Sequence, residues 1–284
     1  MSGHSVLDQL QPGDHVCAPV RTVAERQTII AAFAARGLHA GHKVLLLVDD
    51  PAPVHARLQA RLPGTDQAIH DGHLHLRPVG DTYLAGGVFD PTRILDALTA
   101  DVDLARQQGY PALWVTGDLS GVDPGDLDVD ALVNYETRVN ALFVDQPLVG
   151  LCHYDARIID PVTWERLSTA HPSTMSVDPD HDLGRRLRCR HTPAGITITG
   201  EADLANHAAL PSMLTTVTNR PGRCHINATG LRFADARAIA ALLQIATVRH
   251  HPTTITCPAH LAALLHLLGA DTIPDLRITI ADPL

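Results

Sequence analysis

Two thiols in this chain lie beside imidazoles: His15-Val16-Cys17 near the start, and Cys152-His153 in the middle, followed by Tyr154-Asp155. A thiol next to a protonated imidazole can ionise near neutral pH, and then meet an electrophile or a soft metal. Carboxylates close by work against this, because negative charge disfavours thiolate. A buried structural cysteine is also the commoner fate of a thiol in a reducing compartment. The expectation is a neutral pocket that recognises a small, mostly apolar molecule by shape and a few hydrogen bonds. Two rivals use the same residues: a thiol-dependent enzyme pairing Cys17 or Cys152 with His15 or His153, and a metal- or haem-binding sensor.

Other chemistries lack their residues. The turn after the first strand reads Ala18-Pro19-Val20-Arg21-Thr22, where a phosphate loop needs Gly-rich amides and a lysine. Gly37 to Lys43 has the wrong spacing and precedes a strand, and Gly117-Asp118-Leu119-Ser120-Gly121 misses the nucleophile-elbow spacing by one. No nucleotide hydrolysis and no enzyme activity are expected. Among eighteen histidines the tightest grouping is His70-x-x-His73-x-His75, which alternates along a strand beside no cysteine. It reads as a solvated strand face, and no metal or other cofactor is expected. The five cysteines form no CxxC pair and are odd in number, which predicts free thiols.

A formal charge of −9, with Lys43 the only lysine, argues against nucleic acid. The cluster Arg185-Arg186-Leu187-Arg188 reads as a solvated edge at a domain junction. No apolar run reaches the roughly 20 residues that span a bilayer, and Met1-Ser2-Gly3-His4 does not open a secretory signal. A cytoplasmic protein is expected.

The elements that must position these residues alternate strand with helix. Gly13 to Ala18 reads as a buried strand. Thr22 and Glu25 make a capping box for a helix carrying Ile29, Ile30 and Phe33, stopped by Gly37. Val44 to Val48 is an uninterrupted apolar run, as in a strand covered on both faces. Asp90-Pro91 and Asp160-Pro161 are cap-and-proline helix starts. Ala112–Thr116 and Leu148–His153 are further strands, and Leu132 to Phe143 is helical. The pattern means an α/β domain with a mostly parallel sheet. In such sheets ligands bind outside the carboxyl ends of the strands, which here gives Cys17, Asp49, Asp50, Asp118, His153, Tyr154 and Asp155.

The tract Pro172 to Gly184 has no periodicity and reads as a linker, separating a domain of residues 1–175 from one of 185–284. The second starts with strands Leu187–His191 and Ile196–Thr199. It continues through helix, strand Arg223–Ala228, a turn at Thr229-Gly230-Leu231 and a helix bearing Ile239, Leu242, Leu243 and Ala246. Strands at Thr253–Thr256 and Leu276–Ile280, with a helix between, complete it.

Laid out this way, Leu10 to Pro172 resembles the MEDS sensory domain. The resemblance rests on Gly13-Asp14-His15-Val16-Cys17, Gly37-Leu38-x-x-Gly41, Gly109-Tyr110, Gly117-Asp118, Tyr135-Glu136, Cys152-x-Tyr154-Asp155 and His171-Pro172. It implies a KaiC/RecA-like sheet without a phosphate loop, and a site for a small hydrocarbon derivative. It adds Tyr135, Glu136 and His171 to the ligand-binding candidates His15, Cys17, Asp49, Asp118, Cys152, Tyr154 and Asp155. Where the family usually carries an aromatic after the first cysteine, this chain has Ala18-Pro19-Val20, so a different ligand is implied.

The second domain resembles STAS domains, the fold of anti-sigma-factor antagonists, through Gly200-Glu201-Ala202-Asp203-Leu204 and Phe233-Ala234-Asp235. The family's strand-end Asp is Asn227 here, and its phosphorylated serine is missing, since Asp235 is followed by Ala236-Arg237-Ala238. The resemblance implies a protein partner of the anti-sigma-factor or kinase type, met at Asp203, Asn227, Asp235, Ala236 and Arg237 without the phosphorylation switch. The whole then reads as a small-molecule sensor and signalling adaptor, with a homodimer left open.

Overall fold

A computed structural model describes residues 6–85, 87–120, 128–175 and 186–281. The first sheet is parallel throughout, in the order β3-β2-β4-β5-β1-β6. Its strands are β1 (His15–Val20), β2 (Lys43–Val48), β3 (Leu74–Pro78), β4 (Leu113–Asp118), β5 (Leu148–Asp155) and β6 (Ser173–Thr174). Helices α1 (Val23–His39), α2 (Pro51–Arg61), α3 (Thr65–His70), α4 (Val79–Thr82), α5 (Pro91–Gln107), α6 (Val129–Asp145) and α7 (Pro161–Ala170) run between them. Because strand side chains alternate, the two faces make two cores. Val16, Ala18, Val149 and Leu151 pack with Ile30 and Phe33 of α1. Cys17, Leu148, Cys152 and Tyr154 pack with Leu98 of α5 and Val139 and Phe143 of α6.

The second sheet is mixed, in the order β11-β10-β9-β8-β7. Its strands are β7 (Arg188–Thr192), β8 (Gly195–Ala202), β9 (Cys224–Ala234), β10 (Thr253–Cys257) and β11 (Leu276–Ile280). Among the described residues, only the β7–β8 hairpin pairs antiparallel. Helices α8 (Ala209–Thr218), α9 (Ala236–Arg249) and α10 (Ala259–Leu267) cover it, and Ile239, Leu242, Leu243 and Ala246 of α9 are buried as expected.

Several local expectations are corrected. α1 runs past Gly37 to His39, and the left-handed glycine that turns the chain is Gly41 (φ +73°). Gly37 is instead a close-packing residue: a Cβ there would lie 2.8 Å from Val44 Cγ2 and 3.1 Å from Trp114 Cγ. Thr22 caps α1 as read, but the Glu25 carboxylate accepts from Arg21 N rather than from the cap's own amide. Thr229-Gly230-Leu231 makes no turn between strand and helix. β9 continues through it to Ala234, and shifts in the β8–β9 register absorb the irregularity.

The arginine cluster is the largest change. Arg186 is 6% exposed, and Arg186 and Arg188 both face Asp14 of the first domain. The cluster does lie at the junction, but as a buried clasp rather than a solvated edge. Arg190 donates to Pro12 O, and Asn206 to Pro172 O. Val144 of α6 joins the core of the second sheet, so the two units share packing as well as polar contacts. Of the linker reading, Ser173 and Thr174 pair with β1, whereas residues 176–185, including the boundary at 185, lie outside the described residues. So do residues 121–127, before α6. No helix among the described residues is long and apolar enough to cross a membrane.

Candidate functional site

The pleat decides which predicted residues meet. β1 and β5 pair with Cys17 beside Cys152 and His15 beside Gly150, while β4 and β5 pair with Gly117 beside Cys152 and Asp118 beside His153. Paired residues share a face, and next neighbours along a strand do not. His15, Cys17, Cys152 and Tyr154 therefore point toward α6, and Asp118, His153 and Asp155 toward the opposite side. Cys17 and Cys152 also lie within their strands rather than at the ends.

On the α6 side, two further residues complete a buried polar cluster. Glu136 lies on α6, and His171 follows directly on α7. Glu136 Oε2 is 3.2 Å from His15 Nε2 and 3.3 Å from His171 Nε2, and Cys152 Sγ is 3.3 Å from His15 Nε2 and 3.7 Å from Glu136 Oε2. Tyr154 Oη donates to Glu136 Oε1 at 2.5 Å. All five side chains are under a tenth exposed.

The tautomers follow from the outer contacts. His171 Nδ1 lies 2.7 Å from Leu167 O, a carbonyl that can only accept. His15 Nδ1 lies 2.9 Å from Asn140 Oδ1, and Asn140 Nδ2 is committed to the carbonyls of Glu136, Thr137 and Ala170. Both Nδ1 atoms thus carry hydrogen, and in the neutral rings both Nε2 atoms present lone pairs to Glu136. His15 also stacks on Phe143, with centroids 4.5 Å apart.

The charges follow the burial. Burial would raise the Glu136 pKa, but contacts with His171 and His15 outweigh it and hold the carboxyl well below its usual range. Burial is the main cause that lowers His15, the neighbouring His171 adds to it, and the contacts with Glu136 and Asn140 pull the other way. Burial and then Glu136 push the Cys152 and Cys17 thiols well up. Both shifts oppose formation of the thiolate that an activated nucleophile needs.

A cavity of about 30 Å³ adjoins the cluster, with His15 and Cys152 at its polar wall and Tyr83, Leu98, Val115 and Phe143 among its apolar lining. Tyr135 lines it too, its hydroxyl 3.3 Å from that of Tyr83. Two glycines keep this geometry open. A Cβ on Gly150 would fall 2.4 Å from Phe143 Cζ, and one on Gly117 would fall 2.7 Å from Tyr83 Oη.

The remaining candidates lie elsewhere. Asp118 accepts from the Ser120 amide and hydroxyl and faces Arg26, and Asp155 accepts from the Arg157 backbone and guanidinium. The Arg157 hydrogen bond holds Asp155 below the usual range. Asp49 is exposed beyond β2. His153 is fully buried with neither ring nitrogen hydrogen-bonded, and burial lowers its pKa to about 4 against the pull of Asp118. His73 stacks on Tyr110, and His75 meets Gly72 O; they form no cluster with His70.

Sequence reasoning missed Asn140, Phe143, Tyr83 and the two glycines. Asn140 was within reach, since it follows Glu136 by four residues and shares its helix face. In the second unit, Asp203 caps the turn Leu204–Asn206 and Asp235 caps α9, and both line one small hollow with Arg237. Asn227 is not part of that hollow and binds the Thr229 amide and hydroxyl.

The family model described as "MEthanogen/methylotroph, DcmR Sensory domain" (MEDS) matches residues 14–172, more than half of the chain. No curated protein matches. Among solved structures, the flagellar accessory protein FlaH from Methanocaldococcus jannaschii is similar at 12% identity and a TM-score of 0.41, over 70% of this chain and 82% of that one.

Proposed function

The chain belongs to the MEDS family of sensory domains, and from that premise we propose that it senses a small, mostly apolar molecule and reports it through its second unit to a protein partner. The carrying observation is the cavity beside His15 and Cys152: about 30 Å³, where a single water needs about 10–15 Å³. That room suits a molecule of a few heavy atoms, held by apolar contact and one or two polar groups.

Two routes lead from the cavity to the second unit. Asp14, next to His15, is clasped by Arg188 and Arg186. Asn140, which holds His15, also lies 3.3 Å from Ser212 of α8. A ligand that shifts His15 therefore acts on groups already bonded across the junction. The second unit is read as STAS-like, with the hollow at Asp203, Asp235 and Arg237 as its partner face. The protein is read as non-catalytic, and its five free thiols suit a reducing cytoplasm.

A thermal-shift series of one- to four-carbon alcohols, ketones, thiols and haloalkanes tests the reading. At least one compound should raise Tm saturably, and Leu98→Phe, which fills the cavity, should abolish the shift. Uniformly flat responses, or shifts that survive the filling, would overturn it.

A further inference from the structure

We propose that His15, Glu136, Cys152 and His171 form a binding site for one divalent transition-metal ion, Zn²⁺ by its donor set. The proposal rests on these four side chains alone and holds whether or not the cavity takes a ligand.

Tetrahedral Zn²⁺ bonds nitrogen and oxygen at about 2.0–2.1 Å and sulfur at about 2.3 Å, so the ligand atoms must sit about 3.3–3.6 Å apart along the edges. Four edges are measured here: 3.2 Å (His15–Glu136), 3.3 Å (His171–Glu136), 3.3 Å (His15–Cys152) and 3.7 Å (Cys152–Glu136). All four donor atoms lie within 4.8 Å of one another, and this is the one grouping of three or more potential metal-ligating His, Cys, Asp and Glu side chains at such distances among the described residues.

With hydrogen on both Nδ1 atoms, two imidazole lone pairs and a carboxylate converge on one point, and three acceptors facing each other repel unless a cation or proton lies between them. His171 Nε2 is fully buried and faces the Glu136 Oε2 acceptor at 3.3 Å, a repulsive pair unless a proton or an ion lies between them. An ion would satisfy both. The support around the donors is what metal ligands need: Asn140 and Leu167 O fix the two rings, and Tyr154 occupies Oε1, leaving Oε2 of Glu136 for the ion.

The donor set selects the metal class. Two imidazoles, one carboxylate and a sulfur at tetrahedral spacing favour Zn²⁺ over Mg²⁺ or Ca²⁺, which take oxygen at higher coordination. Binding converts the Cys152 thiol to a metal-bound thiolate and releases its proton to solvent, so charge and atoms balance.

The test uses the full chain, stripped with chelator and titrated with Zn²⁺ against a chromophoric competitor, and separately with Co²⁺. One ion should bind per chain, and Co²⁺ should give intense tetrahedral d–d bands with a thiolate charge-transfer band. Cys152→Ser should remove the charge-transfer band while the circular dichroism stays that of the wild type. Glu136→Gln and His171→Gln should weaken binding at least tenfold, whereas His75→Gln, away from the cluster, should leave it unchanged. Absence of stoichiometric binding overturns the proposal and leaves a proton shared among His15, Glu136 and His171. Binding that ignores Cys152→Ser and follows His75→Gln overturns it equally, as metal held by other histidines.

Discussion

The Arg188 guanidinium grips Asp14 with two hydrogen bonds, Nε to Oδ1 at 2.5 Å and Nη2 to Oδ2 at 2.9 Å. This bidentate pair ties the residue before β1 to the first strand of the second sheet. Arg186 Nε stands 3.7 Å from the same carboxylate oxygen. The Asp14 side chain is 1% exposed, against 19% for Arg188, so the two ends of the clasp are unequal.

That inequality predicts an order of effects. Asp14→Asn leaves the buried Arg186 facing a neutral amide, and breaking a buried pair costs about 3–5 kcal/mol. Arg188→Met leaves Asp14 with Arg186 and keeps the apolar stem, so it should cost less than half as much. Urea unfolding of both variants gives the comparison; equal losses would mean that Arg186 does not depend on Asp14.

Gly150→Ala should destabilise the first domain by about 1–3 kcal/mol, the usual cost of overpacking. The added methyl would sit 2.4 Å from Phe143 Cζ and 3.2 Å from His15 Cδ2. Phe143→Leu should recover most of that loss in the double variant. Gly109→Ala supplies the contrast, since Gly109 is at φ +84° with nothing within 4 Å of a Cβ. Its cost is backbone strain alone, and Phe143→Leu should not rescue it. A cycle showing no coupling between 143 and 150 would refute this account.

Much of the frame was legible because local signals and burial agreed. Asp90-Pro91 and Asp160-Pro161 start α5 and α7, and each aspartate accepts from the next turn's amides. The run at Val44 to Val48 is a strand buried at every position. The site was legible only as a list. Which of Cys17, Asp118, Cys152, His153, Tyr154 and Asp155 meet depends on strand register, which a two-residue period can sort once the pairing is known. Arg186 and Asp14 are 172 positions apart, and composition alone made their cluster look solvated. Gly37 was misread because a glycine near a helix end reads as a stop, whereas here it lets α1 approach Trp114.

Stability should fall as the pH drops below about 6.5, the ordinary histidine value that the unfolded chain keeps. Burial lowers His42, with Arg36 and His73 adding to it. Burial also lowers His75, with Lys43 and Arg77 adding, and Gly72 O and Asp101 opposing. For both, the folded pKa lies under the unfolded one. Below about 6.5 the unfolded state therefore takes up protons first, and stability is lost with acid, modestly because both rings are partly solvated. Replacing both by Gln should flatten the slope between pH 7 and 5.5 in urea titrations. An unchanged slope would assign the acid sensitivity to other groups.

At the start of α9, Asp235 Oδ1 accepts from Ala238 N at 2.8 Å, and losing such a cap costs about 1 kcal/mol. Asp235→Ala should show that loss in unfolding experiments, because Ala236, Arg237 and Ala238 have no side-chain acceptor to replace it. The same absence of hydroxyls means that no kinase can place phosphate on the first turn of this helix. The nearest hydroxyl, Thr229, is tied to Asn227 Oδ1 at 2.8 Å, back in β9. Incubation with a panel of serine/threonine kinases, followed by peptide mapping, should find no stoichiometric phosphate between residues 229 and 240. Ala236→Ser supplies the positive control, since it restores a hydroxyl where the helix amides and Arg237 both favour a dianion. If the wild type is phosphorylated there as readily as this variant, the second unit is switched by phosphate after all. If only the variant is, control of the proposed partner face at Asp203, Asp235 and Arg237 must come from elsewhere, and the Asp14 clasp and the Asn140–Ser212 contact are among those that join it to the first domain.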